Sequence, residues 1–402
     1  MRRERTRLLG WNVIFVIAIL SAAAAGERAL AAVDYPISIP RGNGLANVFA
    51  KLNSGQAATI AYIGGSITRE WGYRNLVTSW FNRRFPGKIT EINAGWSGTG
   101  SLIGAMRFAR DVLEYRPDLI FIEFAVDDLP EDGLLFIQRN SEGMIRQAWA
   151  QNRNIDVCFI ETIANRFEQT YLNGAYPTSL QAHSSVADLY GNPSVNVGWA
   201  LYKRVLTGLT WESLTINGDR VHPNPMGSRH YAEAIISYLE SERICGGFLA
   251  PHSVPAPLTD CPVMSGTTEE MTTLTDLSPA WRKHYDEYGA PGLIQSGTAG
   301  STVTVNFMGP AAAVKIIVAP DGGGISYSVD GGAYVSGNLP ATESPYLWAF
   351  PVAKTASPGI HMLTIQVDSG VARIINVESA TADTARMSAR AVRIWDQARR
   401  SR

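Results

Sequence analysis

Four short apolar runs, Thr59 to Ile63, Ile89 to Asn93, Leu119 to Phe124 and Val157 to Ile160, recur between Ala57 and about Leu239, each nearly continuous in hydrophobicity. A strand with no polar face is covered on both sides, as strands of a parallel sheet are. The segments between the runs, Tyr73 to Phe85, Leu102 to Tyr115 and Leu134 to Asn152, have helical length and spacing. A last helix is expected from about Pro225 to Ser241, with Pro225 tolerated in its first turn. Parallel neighbours need crossover connections, so the spacing predicts repeated βαβ units and an α/β layered domain over 45–244. Core material is ample: 46% of the 402 residues are hydrophobic and 18% charged, which excludes wholesale disorder.

The texture changes after Cys245. Pro251, Pro255, Pro257, Pro262 and Pro279, among many Ser and Thr, read as a linker or wrapping segment over 245–292. Cys245 and Cys261 bracket part of it and are candidates for a disulfide, while Cys158 within a strand is most simply a small buried apolar residue. From about Leu293 the period is two. Val303, Val305 and Phe307 alternate with polar residues; Ile325, Tyr327 and Val329 lead into the turn pair Asp330-Gly331; Leu363, Ile365 and Val367 form another set. This predicts an all-β sandwich or jelly-roll domain over 293–380. The residues beyond it, 381–402, form a basic tail, read as a surface helix or frayed end, with contact to an anionic glycan or membrane as the alternative.

At the other end, Arg2, Arg3, Arg5 and Arg7 precede an apolar stretch from Leu8 to Ala25, and Ala29-Leu30-Ala31 has the small-x-small pattern of a cleavage site. Residues 1–31 are read as a signal peptide, giving a periplasmic or extracellular chain with no stable membrane span after cleavage. An uncleaved anchor is the alternative, weakened by Asn12, Ser21 and the alanine-rich end. The 35 Lys+Arg against 36 Asp+Glu leave a net charge of −1, no field to hold a phosphate polymer, so nucleic acid is not an expected partner. None of the three cysteines forms a C-x-x-C pair, and the acidic run Asp127, Asp128, Glu131 and Asp132 lacks a calcium-loop pattern; no metal and no cofactor are expected.

Chemistry-bearing residues gather at one sheet edge. Gly64-Gly65-Ser66-Ile67-Thr68 follows the first strand, so Ser66 sits where strand gives way to helix, at the edge where open α/β sheets bind ligands. Glycine before serine at a strand end is also ordinary turn chemistry, and Thr68 breaks the G-x-S-x-G elbow. The second strand runs into Asn93-Ala94-Gly95-Trp96-Ser97-Gly98 and the third into Glu123-Phe124-Ala125-Val126-Asp127-Asp128. Asp219-Arg220-Val221-His222 stands just before the last helix, a spacing at which the aspartate can orient the imidazole toward a nucleophile. Trp71 and Trp96 flank the first two blocks and are candidates to stack on a sugar ring, or core residues. His183, His230, His252, His284 and His361 read as structural or surface.

Over about Ala57 to Ser241 the four blocks, in this order, resemble the SGNH hydrolase superfamily, the GDSL-like esterases and lipases, in the branch with Gly-Gly-Ser-Ile-Thr and a C-terminal β domain. The resemblance implies a three-layer α/β/α fold and hydrolysis of small esters, especially acetyl groups on sugars. It assigns Ser66 as nucleophile, Asp219 and His222 as its triad partners, and the backbone N–H groups of Ser66 and Gly98 as oxyanion donors. The aspartate that the family places before the serine is Gly65 here. Where the family has an oxyanion-binding asparagine this chain has Asp127, whose ionised form would repel developing negative charge. The expected function is an exported serine esterase that removes acetyl or similar acyl groups from a polysaccharide or small ester through an acyl-enzyme. An O-acyltransferase of the same fold and a non-catalytic glycan-binding protein are the alternatives. Oligomeric state is not legible.

Overall fold

The computed structural model describes residues 34–260, 262–337, 339–354 and 359–381. The expected signal peptide, the tail beyond Thr381 and Cys261 lie outside the described residues. The first domain is built on strands β1 (Ser38–Ile39), β2 (Ala58–Gly64), β3 (Ile89–Gly95), β4 (Leu119–Glu123), β5 (Asp156–Ile160) and β6 (Ser194–Val195). Among the described residues its α-helices are α1 (Ala46–Asn53), α2 (Ser66–Arg69), α3 (Tyr73–Arg84), α4 (Ser101–Asp111), α5 (Leu134–Gln151), α6 (Glu168–Leu172), α7 (Thr178–Tyr190), α8 (Val197–Leu206), α9 (Trp211–Leu214) and α10 (Pro225–Cys245). The sheet order is β1-β6-β5-β4-β2-β3, parallel throughout except for β1, which runs antiparallel to β6.

Helices cover both faces, as the doubly apolar strands require. Along β2, Ile60 and Tyr62 face the core shared with α1, α3, α8 and α10, while Ala61 and Ile63 face the one shared with α4, α5 and α7. The register pairs Gly64 with Gly95 on one side and with Glu123 on the other. Three strand ends are thus level, and the loops leaving them carry Ser66, Gly98 and Asp127 along one edge.

The second domain is a sandwich of two antiparallel sheets. One holds β10 (Thr302–Met308), β15 (Ile360–Val367), β12 (Ile325–Val329) and β13 (Val335–Ser336) in that order. The other runs β14 (Tyr346–Ala353), β11 (Ala311–Val318), β16 (Ala372–Thr381), β9 (Ala290–Ser296) and β8 (Arg282–Glu287), with β7 (Ser265–Glu270) also paired to β16. Val303, Val305, Leu363 and Ile365 of the first meet Val314, Ile316, Ile374 and Val377 of the second.

One expectation needs correction. The segment 245–292 is not a linker along its length: β7, β8 and the start of β9 lie within it and belong to the sandwich. Their polar, half-exposed faces and the prolines between them hid the strands, because an edge strand with one wet face shows little apolar pattern. Cys245 is exposed at the end of α10 as a free thiol, and its expected partner Cys261 lies outside the described residues.

The two domains share a core. Ala311 and Ala313 of β11, Ala349 of β14 and Ala380 of β16 pack with Ile103 and Met106 of α4. The small residues set the approach distance; a Cβ on Gly266 would lie 2.1 Å from the Met106 carbonyl oxygen. Arg110 of α4 pairs with Glu378 of β16 at 3.3 Å, and Lys354 pairs with Asp132. No helix among the described residues is long and apolar enough to cross a membrane.

Candidate active site

Ser66 opens the one-turn helix α2 directly after β2, a position that turns its side chain out of the sheet edge. Its Oγ lies 2.9 Å from His222 Nε2. His222 sits in a tight connection between α9 and α10, held by the bridge between Thr215 and Pro223 and by the Ile216 N–H donating to the His222 carbonyl at 2.8 Å. Asn224 fixes the exit: its side-chain oxygen accepts from the N–H groups of Met226 and Gly227 at the start of α10, and its amide donates to the Ser213 carbonyl. Pro225 at the first helical position needs no N–H partner there.

Asp219 completes the relay. One carboxylate oxygen receives the N–H groups of Val221 and His222, both at 2.9 Å, and the other lies 2.7 Å from His222 Nδ1. Partial burial works against the charge, but these hydrogen bonds prevail and hold the carboxyl below its ordinary range. The imidazole therefore donates from Nδ1 to a fixed carboxylate, leaving Nε2 to accept from Ser66. The His222 and Asp219 side chains are 40% and 35% exposed, so the pair faces an open edge that a large substrate can reach.

The loop after β3 lies against this turn. The Trp96 N–H donates to the Gly64 carbonyl at 2.9 Å, and Arg69 reaches Ser97 at 3.4 Å. Gly98 has φ +68°, a left-handed backbone, and a Cβ there would stand 2.1 Å from the Trp348 ring. Trp348 belongs to β14, the edge strand of the sandwich, so the β domain supplies an aromatic side chain to the rim. No sequence signal marked it, since the nearly continuous apolar run of β14 does not show which domain it faces.

Asp127 packs against the backbone just before Ser66: a Cβ on Gly65 would lie 1.8 Å from its carboxylate. Burial first, then the Asp128 charge, push its pKa up to about 7, against the pull of Arg166. Behind it, buried Glu123 accepts from Thr68 at 2.9 Å and Thr162 at 2.7 Å. Burial and the Asp127 charge raise Glu123 to about 8 despite those two donors. Asp128 receives the Ser101 N–H at the start of α4 at 2.8 Å, and His183 bridges Asp128 and Glu161 at 3.0 and 3.1 Å. Burial alone would lower the imidazole's pKa, but the two flanking carboxylates raise it to about 10, so the Asp127 loop is clamped to α7 and β5 by a charged, buried histidine. That network spans residues far apart in sequence and had no local signature.

Of the two tryptophans expected to stack on sugar, Trp71 is 59% exposed beside the Ser66 turn and remains available. Trp96 is a correction: it is 8% exposed, with Lys315 of the β domain 4.5 Å from its ring centroid and Arg107 at 5.7 Å, so no sugar face can reach it. Glu131 is exposed in the turn after β4 as expected, whereas the Asp132 side chain is only 10% exposed, pairing with Lys354 and accepting from the Leu129 N–H. No group of His, Cys, Asp and Glu among the described residues is arranged to hold a metal ion.

Residues 62–230 match the GDSL-like Lipase/Acylhydrolase family. No curated protein compared with the chain matches it. Among solved structures, a two-domain esterase (CEX) active on acetylated mannans superposes with a TM-score of 0.70 at 22% identity, over 87% of this chain and 99% of its own. The same esterase co-crystallised with mannopentaose gives 0.69 at 21%, with the same coverage. At that identity the likeness is one of fold, and it takes in both domains. The family match runs from the strand before Ser66 to the helix after His222, so the α/β domain of this chain matches a GDSL-like lipase/acylhydrolase domain over that range.

Proposed function

We propose that this protein is an exported serine esterase that removes acetyl or similar small acyl groups from a polysaccharide, with Ser66 as nucleophile, His222 as base and Asp219 as its orienting partner. The observation that carries the reading is the unbroken relay from Ser66 Oγ through His222 to Asp219, at 2.9 and 2.7 Å. A serine hydroxyl is a weak nucleophile until a base removes its proton, and the relay supplies that base in the right tautomer. Ser66 Oγ adds to the acyl carbon while Nε2 takes its proton. The tetrahedral adduct then expels the sugar oxygen, which takes the proton back from Nε2. Water, deprotonated in the same way, releases the acid and restores Ser66. The backbone N–H groups of Ser66 and Gly98 are the proposed oxyanion donors, each worth about 3 kcal/mol in comparable sites.

The open edge suits a chain-like substrate, and Trp71 and Trp348 border it from the two domains. The esterase of like fold acts on acetylated mannans, which makes an acetylated mannan oligosaccharide the first substrate to test. The test is acetate release from it by the wild-type protein and by Ser66→Ala. Release that depends on Ser66 supports the proposal; equal release by both, or none from any acetylated glycan or small ester, contradicts it. Acyl transfer to an added oligosaccharide in place of free acetate would identify a transferase.

A further inference from the structure

Residue 65, one step before the proposed nucleophile, has no room for a side chain because the Asp127 carboxyl already fills the space, its oxygen 1.8 Å from where a Cβ would be. That carboxyl makes no hydrogen bond to any described residue, although every neighbour is engaged. Asp128 binds His183 and the Ser101 N–H; Glu123, at the end of β4, holds Thr68 and Thr162. Arg166, from the turn after β5, is the cation that faces it among the described residues, and it donates to the Val126 carbonyl. His222 stands across Ser66. With two acidic neighbours, one occupied arginine and partial burial, the ionised form is poorly compensated, whereas the neutral acid has one O–H donor to place. The space it fills belongs to Gly65, the residue directly before Ser66.

We propose that Asp127 works as a neutral carboxylic acid, donating a hydrogen bond to the substrate's acyl oxygen as negative charge builds there, and that glycine at position 65 is what admits it. The proposal rests on the esterase reading above. An ionised Asp127 would oppose that charge instead, so activity falls as the group loses its proton, while His222 must be unprotonated to act as base. The rate then peaks in a narrow pH band.

The test is the pH dependence of kcat/KM for 4-nitrophenyl acetate, corrected with Ser66→Ala, in the full chain and in Asp127→Asn. The wild type should lose about tenfold per pH unit above its alkaline break, near the Asp127 pKa of about 7. Asn keeps an uncharged donor, so Asp127→Asn should stay active without that break and exceed the wild type about tenfold or more at pH 9. A break that persists in Asp127→Asn, or a folded Asp127→Asn inactive at every pH, overturns the proposal. Gly65→Ala should displace the carboxyl and lower kcat about tenfold; wild-type kcat with the break intact would also count against it, and Asp127→Asn decides the matter if Gly65→Ala does not fold. Should the wild type hydrolyse no ester, the esterase reading fails, and infrared difference spectra of wild type minus Asp127→Asn still test the acid. A protonated-carboxyl band that fades as pH rises supports it; no such band near neutrality overturns it.

Discussion

Substituting Asp219 by asparagine separates orientation from charge: the side chain keeps its shape but no longer fixes the tautomer that leaves Nε2 free. Turnover of an acetyl ester should fall about a hundredfold or more in Asp219→Asn, and about a thousandfold or more in Ser66→Ala and His222→Ala, with unchanged circular dichroism. Near-normal turnover in a folded single variant removes that residue from the relay. A second expectation follows from Glu123, raised from 4.5 to about 8 by burial and the Asp127 charge. Between those values the folded protein holds a proton that the unfolded chain has released, so this group's contribution is present at low pH and is lost as pH rises through the window. Glu123→Gln should therefore gain thermal stability relative to wild type by several degrees more at pH 9 than at pH 5, measured by melting curves; a difference independent of pH refutes the linkage. Ser66, Asp219 and His222 were legible because each stands in a short block at a recognisable place in the βαβ pattern. Trp96 was misread because its cover, Lys315, comes from the other domain. The Asp128–His183–Glu161 bridge was invisible because it forms only when β4, β5 and α7 meet.

At the scale of elements, β2, β4 and β5 were readable for one physical reason: strands covered on both faces carry apolar residues almost without interruption, whereas the edge strand β3 alternates apolar with polar residues. The two-residue strands β1 and β6 and the polar strands β7 and β8 carry no such mark. The strand most consequential for the site is β14, whose Trp348 lies on Gly98. Gly98→Ala must both strain a backbone at φ +68° and push the indole aside, so kcat/KM should fall about tenfold or more. If the indole contact carries part of that loss, the Gly98→Ala effect will be smaller in a Trp348→Ala background than in the wild type, a non-additivity that kinetics of the double variant measures. Full additivity would mean that the strand does not act on the loop.

For the whole molecule, the alanine-lined contact of β11, β14 and β16 on α4 makes the β domain part of the first domain's core rather than a detachable module. A chain truncated after Cys245 exposes Ile103 and Met106, and it should aggregate or melt several degrees lower; a soluble, fully active fragment would contradict this reading. The central claim, that Ser66 is a nucleophile activated by His222, is tested most directly by intact-protein mass spectrometry after reaction with a fluorophosphonate. The account predicts a single adduct that maps to Ser66, absent in Ser66→Ala and much slower in His222→Ala. A folded wild-type protein that takes up no label, or takes it up elsewhere, would contradict it.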